Sequence, residues 1–166
     1  EYIEHIDYLR KKVPDIEIST DLIVGFPTET EAEFQETLKV VEYIKFSQIY
    51  PFKYSPRPET YAVKLGDTVP RKVKEERLEQ LIDMQEKINQ SAMEQLVNTK
   101  QEVLIEERHP RIQNFWNGRT NSYRSITVAG KDLNIGDLIY ARVRGFHSHW
   151  LEAEYIETIK NSPLNK

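Results

Sequence analysis

The sequence predicts a protein in three parts: an α/β segment, a long connecting helix and a small antiparallel β-barrel. Helical and extended patterns alternate over residues 1–68, as they do in α/β proteins with parallel strands. An apolar stripe at helical spacing then continues over residues 69–96. Over residues 97–158, short stretches of alternating polarity are separated by glycines, a pattern typical of small barrels. Residues 159–166 are expected to be a tail.

The first helix and strand follow from periodicity. Ile3, Ile6, Leu9 and Val13 recur every three or four residues, and Pro14 ends the helix. Residues 16–25 begin with alternating polarity and end in a continuous apolar run. Because such a strand is apolar on both faces, we expect it to be buried inside a parallel sheet.

The second helix is predicted to begin at Thr30, which has capping-box spacing to Glu33. Its buried stripe consists of Phe34, Leu38, Val41 and Ile44, and a second strand follows over residues 46–54. Residues 55–65 contain two prolines and are predicted to form a loop. Since two parallel strands cannot cover their own edges and faces, residues 1–68 are expected to end a larger α/β domain or to self-associate through the open edges.

The connecting helix is predicted from Pro70, which suits a first helical turn. An apolar stripe then continues to Leu96, giving a length of roughly 26 residues, or seven turns. In the barrel, strands are predicted over residues 102–106, 118–128, 137–144 and 149–156. In the third of these, Ile139, Ala141 and Val143 are expected to face inward, and Tyr140, Arg142 and Arg144 outward.

Composition excludes several kinds of site. The 166 residues contain no cysteine, so this sequence itself holds no disulfide, zinc thiolate, cysteine nucleophile or cysteine-bound iron–sulfur cluster. It has neither an apolar run of membrane length nor a signal-peptide pattern at its start, and a cytoplasmic location is expected. Residues 1–96 carry a net charge of -6 and residues 97–160 a net charge of +1, a weak indication that the later part binds a polyanion.

Five segments resemble the radical S-adenosylmethionine methylthiotransferases. Residues 21–30 read D-L-I-V-G-F-P-T-E-T and residues 54–60 read Y-S-P-R-P-E-T, close to the family patterns D-x-I-V-G-F-P-G-E-T and Y-S-P-R-P-G-T. Residues 69–78 resemble the family's connecting helix. Residues 118–121 and 135–137 resemble its TRAM domain, an RNA-binding barrel. Thr28 and Glu59 stand where the family usually has glycine, which is expected to alter only the local loop geometry.

The resemblance implies a fold and an activity. The chain is expected to be the carboxyl-terminal part of a radical S-adenosylmethionine α/β barrel, followed by a helical connector and an OB-like TRAM barrel. The whole enzyme would add a methylthio group to C2 of N6-isopentenyladenosine beside the tRNA anticodon. It would use S-adenosylmethionine and two 4Fe–4S clusters, whose cysteines lie outside this sequence. We therefore expect no catalytic residue or metal ligand here, no bound cofactor, and no activity from this piece alone.

Two alternatives remain at this point. One is a free-standing RNA-binding protein without catalysis. The other is a sibling methylthiotransferase acting on another tRNA adenosine or on a ribosomal protein. Within the family, Arg57-Pro58 favours the tRNA-modifying branch, for which the partner is the anticodon stem-loop. The sequence determines neither the exact tRNA set, the sulfur donor, the oligomeric state nor whether residues 1–68 fold natively alone.

Four residues are candidates for cofactor binding: Asp21, Gly25, Glu29 and Arg57. Gly25 and Glu29 follow a strand's carboxyl end, where α/β proteins bind ligands, although the same residues also suit a simple turn into the helix. Asp21 is expected to be buried, either in a structural ion pair or in the site. Arg57 suits a cofactor carboxylate, the tRNA backbone or a salt bridge.

The candidates for RNA binding lie in the predicted barrel. Cations, an amide and aromatic rings occur near one another there, as in proteins that bind single-stranded RNA; the residues are Arg119, Asn121, Arg124, Arg142, Arg144 and Trp116. Trp150 is a candidate either for stacking or for the barrel core. His109, His147 and His149 lack recognised metal-ligand spacing and are interpreted as surface or stacking residues.

Overall fold

The computed structural model describes residues 1–161. The chain divides into two compact units, Glu1–Asn89 and Gln90–Lys166. The first unit contains α1 (Tyr2–Lys12), β1 (Ser19–Val24), α2 (Glu31–Ile44), β2 (Gln48–Lys53), α3 (Tyr61–Lys64) and most of α4 (Arg71–Leu96). The second contains β3 (Lys100–Arg108), β4 (Phe115–Thr120), β5 (Ser125–Ala129), β6 (Leu138–His147) and β7 (Trp150–Lys160). Within residues 1–161, no helix is both long enough and apolar enough to cross a bilayer.

The first unit is built on a parallel pair of strands, as predicted. β1 and β2 pair from Ser19 opposite Gln48 to Val24 opposite Lys53, with α2 as the crossover. Thr30 caps α2 in a complete capping box with Glu33. The four residues of its predicted stripe are all buried, and they pack in one core with Leu81 of α4.

Burial of β1 differs from the prediction. One face of the sheet packs in the core through Val24 and Ile49, whereas Ile23, Tyr50 and Phe52 on the other face are about half exposed. The expectation that β1 is buried on both faces is therefore wrong for this chain, because the core covers a single face of the two strands. In α1, likewise, Ile6 is buried but Leu9 is exposed.

Two loop positions adopt the left-handed backbone region. The φ angles are 73° at Thr28 and 70° at Glu59, the two positions where the resembling family usually has glycine. Side chains with a Cβ are strained in this region. The loop predicted over residues 55–65 also contains the single helical turn α3, so it is not wholly irregular.

The second unit is a closed five-stranded barrel with strand order β3-β4-β5-β7-β6. Four of its pairings are antiparallel, but β5 and β7 are parallel. The expectation of an entirely antiparallel barrel is wrong because five strands cannot alternate in direction around a closed ring without one parallel pair. The inward positions predicted for β6, Ile139, Ala141 and Val143, are fully buried.

Two predicted boundaries in the barrel need correction. The single strand expected over residues 118–128 is a hairpin, in which β4 and β5 are joined by a turn over residues 121–124. This turn contains no glycine; instead, Tyr123 adopts a φ of 67°. Ile159 and Lys160 belong to β7 rather than to a tail, and residues 162–166 lie outside the described residues.

Candidate nucleic-acid interface and ionic cluster

A cluster of charged residues lies at the carboxyl end of β1; we call Glu29, Asp67, Lys74 and Arg77 the ionic cluster. Oε2 of Glu29 accepts hydrogen bonds from the backbone N–H of Gly25 (2.6 Å) and from Nη1 of Arg77 (2.7 Å). Nη1 of Arg77 also donates to the backbone oxygen of Glu29 at 3.1 Å. The Arg77 and Glu29 side chains are only 5% and 13% exposed. Glu29 thus forms a buried ion pair that fixes the turn after β1.

Lys74 fills the space in front of Gly25. A Cβ built at Gly25 would lie 2.3 Å from Cγ of Lys74, and the φ of Gly25 is 70°. Nζ of Lys74 donates to the Asp67 carboxylate and, at 3.3 Å, to the backbone oxygen of Tyr54. The glycine at position 25 therefore makes room for a lysine stem, rather than for a ligand, in this chain.

Sequence reasoning missed Lys74 and Arg77, although a signal was present. Continued toward its start, the α4 stripe through Leu81 and Gln85 reaches Lys74 and Arg77 at steps of three or four residues. Both side chains are buried. Because charged residues are rarely buried unless they are paired, neither residue is among the candidates from the sequence.

Asp21 and Arg57 lie apart from the ionic cluster. Both are exposed, so the expectation that Asp21 is buried is wrong: it lies on the open face of β1. Within residues 1–161 neither side chain makes a hydrogen bond or an ion pair. The four predicted cofactor residues are thus divided between a closed cluster and an open surface, and as placed they do not fit S-adenosylmethionine as one complete site. With no cysteine in the chain, its residues also do not fit an iron–sulfur cluster.

Two carboxylates near this cluster have lowered pKa values. A hydrogen bond from Gln35, followed in importance by the interaction with Arg77, lowers the pKa of Glu31. The Thr30 backbone N–H and hydroxyl lower the pKa of Glu33. Within residues 1–161, no three side chains of the types that bind metals are grouped around a common point.

In the barrel, Arg119 is half-buried on β4. Its Cζ lies 4.4 Å from the centre of the Tyr123 ring, and Nη1 donates to the backbone oxygen of Tyr123 at 3.2 Å. Its Nε lies 3.4 Å from Oε2 of Glu106. These contacts hold the guanidinium at the barrel surface without burying it.

The β6 arginines lie in a different place. Arg142 pairs in register with Lys100 of β3, whereas Arg119 pairs with Leu104 of the same strand, roughly 13 Å further along. Nη1 of Arg142 donates to the backbone oxygen of Asn98 at 3.1 Å, and Nε of Arg144 donates to Oε2 of Glu154 at 2.9 Å. The predicted RNA-binding arginines therefore do not form a single row.

The remaining candidates lie in the β4–β5 turn and in the core. Asn121 is exposed in the turn. Nη1 of Arg124 approaches Sδ of Met93 at 4.0 Å. Trp116 is only 5% exposed, and its indole N–H donates to the backbone oxygen of Gly130 at 3.1 Å. Its ring thus packs in the barrel core and offers no open stacking face, whereas Trp150 is 41% exposed.

Comparisons with known proteins agree with this architecture. Residues 94–156 match the family model of the TRAM domain. The tRNA-2-methylthio-N(6)-dimethylallyladenosine synthase of Aquifex aeolicus is 39% identical over 160 residues, which are 96% of this chain and 36% of that protein. Synthases of the same name from Christiangramia forsetii and a Thermoanaerobacter species are 38% and 40% identical, covering 98% and 96% of this chain.

The chain spans about a third of the length of the curated relatives that it matches. Within that third, the likeness extends over almost every residue and includes both compact units. The chain is therefore a homologue of part of the tRNA-2-methylthio-N(6)-dimethylallyladenosine synthases over almost all of its own length, and residues 94–156 form a TRAM domain.

Proposed function

We propose that the chain is the carboxyl-terminal part of a tRNA-modifying methylthiotransferase. The whole protein adds a methylthio group to C2 of N6-isopentenyladenosine next to the anticodon, in the cytoplasm. The observation that carries this proposal is the identity of 38–40% to named synthases over at least 96% of the chain. S-adenosylmethionine and two 4Fe–4S clusters would supply the radical chemistry, on residues outside this chain.

The two units have different roles in this proposal. The first unit forms part of the wall that faces the cofactor, with the exposed side chains of Asp21 and Arg57 as its contacts. Gly25 and Glu29 act there indirectly, because they fix the turn between β1 and α2 through Lys74 and Arg77. The exposure of Asp21 and Arg57 supports this division, since both remain available to groups outside the chain.

The barrel holds the anticodon stem-loop in this proposal. Cations on two surfaces of the barrel contact phosphates in this proposal; they are Arg119 on β4, Arg124 in the turn that follows it and Arg142 on β6, with the amide of Asn121 in the same turn as Arg124. Arg144 is held by Glu154 and is not among these contacts. An arginine that contacts phosphate adds affinity without reading the base sequence. We therefore expect Arg119→Ala in the whole enzyme to weaken binding of all its tRNA substrates by similar factors.

Salt dependence tests the RNA-binding role. The chain is titrated into a fluorescently labelled anticodon stem-loop at increasing KCl concentrations, with anisotropy as the readout. We expect weak binding whose logarithm falls linearly with the logarithm of salt concentration, because bound phosphates release counterions. Absence of binding at low salt, or an affinity that salt does not change, would contradict the proposal.

The catalytic role is tested in the gene. We expect the reading frame that encodes this chain also to encode, upstream, a C-x-x-x-C-x-x-C motif for the radical cluster. A reading frame without that motif would favour the alternative of an RNA-binding protein without catalysis. Sequencing the locus decides between the two.

A further inference from the structure

A shallow groove crosses the outer surface of the barrel above β5. Asn117 of β4 pairs with Thr127 of β5, which pairs in turn with Glu152 of β7. Two residues further along β4, Arg119 pairs with Ser125 of β5. The next residue of β5, Ile126, pairs with Leu151 of β7, so Trp150 lies beside Ser125. The short side chains of Ser125 and Thr127 form the floor. The walls on β4 and β7 are two strand spacings apart, or about 10 Å, wide enough for one flat heteroaromatic ring.

The walls of this groove combine a ring face with hydrogen-bonding groups. Trp150 is 41% exposed, and the His147 ring steadies it at 4.9 Å between ring centres. Thr127 Oγ1 donates to Oδ1 of Asn117 at 3.1 Å, and Nδ2 of Asn117 donates to Oε1 of Glu107 at 2.9 Å. A base stacked on the indole would thus lie beside amide, hydroxyl and carboxylate groups that can bond its edge.

A basic depression adjoins the groove. Its cations come from Arg108 at the end of β3 and Arg111 in the following loop, and the two depressions share His109, Ile112 and Phe115. Neither Arg108 nor Arg111 has an ion-pair partner within residues 1–161. The loop is held in place because Nδ1 of His109 accepts the backbone N–H groups of Arg111 (3.2 Å) and Ile112 (3.1 Å). Arg108 lies over the ring of the buried Trp116, 4.9 Å from its centre, so its guanidinium is positioned without being neutralised. Arginines without an ion-pair partner beside an aromatic groove suit a phosphate joined to a stacked base.

The β6 surface is less suited to this ligand. Arg144 is paired with Glu154 at 2.9 Å, and Lys100 with Glu157 at 2.9 Å. Nζ of Lys100 also covers the ring of Tyr140, 3.6 Å from its centre. The charge of these two cations is thus already neutralised, and the nearest ring face is occupied.

We propose that the groove over β5 binds one unpaired nucleotide of RNA. The base stacks on Trp150 above Ser125 and Thr127, and the adjoining phosphate lies against Arg108 and Arg111. This inference rests on the proposed RNA-binding role of the barrel and names the surface that carries it.

The test uses the full chain and a short, unstructured, fluorescently labelled RNA oligonucleotide. We expect Trp150→Ala to raise the Kd roughly ten- to a hundredfold through loss of base stacking, and Trp150→Phe to stay near the wild-type Kd. Arg111→Ala should raise the Kd and reduce the salt slope by about 0.7, the value for one single-strand phosphate. The matched control is Arg144→Ala, an exposed arginine of the same barrel, which should leave the Kd unchanged.

The outcomes separate the two levels of the proposal. If the wild-type chain binds RNA but Trp150→Ala and Arg111→Ala bind as well as it does, the groove is not the site, and RNA binding itself stands. A loss in Arg144→Ala alone would move the site to β6 and overturn the groove. If the wild-type chain fails to bind RNA at low salt, the RNA-binding role fails as well. If circular dichroism shows that Trp150→Ala is unfolded, the Kd values of Arg111→Ala and Trp150→Phe decide instead. A raised Kd in Arg111→Ala with a near wild-type Kd in Trp150→Phe supports the groove, and a wild-type Kd in Arg111→Ala overturns it.

Discussion

The ion pair between Glu29 and Arg77 offers the sharpest test of how the first unit is built. Glu29→Gln keeps the size of the side chain but removes its charge, leaving the Arg77 guanidinium buried without its main partner. As a structural ion pair, Glu29 should matter to the stability of the isolated chain. As a cofactor ligand only, it should not.

The expected loss is about 3 kcal/mol in the free energy of unfolding. Removing one partner of a buried pair costs roughly 3–5 kcal/mol. The low end applies because Glu31 also reaches Arg77, at 3.2 Å, and because a glutamine oxygen can still accept a bond from Gly25. Replacing Arg77 by Met in the same chain should recover part of the loss, since no buried charge then lacks a partner.

Urea unfolding followed by circular dichroism at 222 nm measures this loss, because α1, α2 and most of α4 belong to the first unit. Glu31→Gln is the matched control. It touches the same arginine, but its side chain is 63% exposed, so its effect should be much smaller. The reasoning would be refuted if both variants unfolded at the wild-type midpoint, or if Glu31→Gln cost as much as Glu29→Gln.

Three further substitutions test the loops, the caps and the barrel by urea unfolding. Thr28→Gly should stabilise the chain by about 1 kcal/mol through relief of left-handed strain, and a loss would show that the threonine is not strained. Thr30→Ala should cost about 1 kcal/mol. Thr30 lowers the pKa of Glu33, so the bond between them stabilises the chain above the ordinary carboxyl pKa and this stabilisation is lost as pH falls through the lowered pKa of Glu33. The loss of stability in Thr30→Ala should therefore become smaller in acid. A loss that does not change with pH would contradict the role of the capping box. Gly118→Ala should lower the free energy of unfolding by about 2–3 kcal/mol, followed by tryptophan fluorescence, because the added Cβ would lie 2.2 Å from a backbone oxygen of β3. Gly145→Ala is the control and should be tolerated, because the nearest atom to its Cβ would be 3.9 Å away. Equal losses in the two variants would contradict the packing of the barrel.

Local signals predicted α1, α2 and α4, although not the single turn α3, because each of these three helices has its own local pattern of residues. The capping box at Thr30, the stripe of α2 and the start of α4 after Pro70 depend on residues within a few positions of one another. Strand alternation likewise predicted the inward face of β6. These features need no knowledge of distant partners.

The errors came from features that depend on closure and pairing. The parallel β5–β7 pair follows only once the barrel is known to have five strands. The burial of Arg77 depends on Glu29, which lies 48 residues earlier in the sequence. That of Lys74 depends on Asp67, in the segment before α4 that no helical periodicity relates to it. For the candidate site, the burial of Trp116, which is predicted above to bind RNA, has a signal in the sequence. Trp116 and Arg119 are three residues apart on one strand and so face opposite sides.

The nucleosides of cellular tRNA test the central claim most directly. The gene encoding this chain is deleted in its own host, and bulk tRNA is digested and analysed by mass spectrometry, with the restored gene as control. We predict that 2-methylthio-N6-isopentenyladenosine disappears and that N6-isopentenyladenosine without the methylthio group accumulates. The methylthio nucleoside persisting at its original level would contradict the assignment.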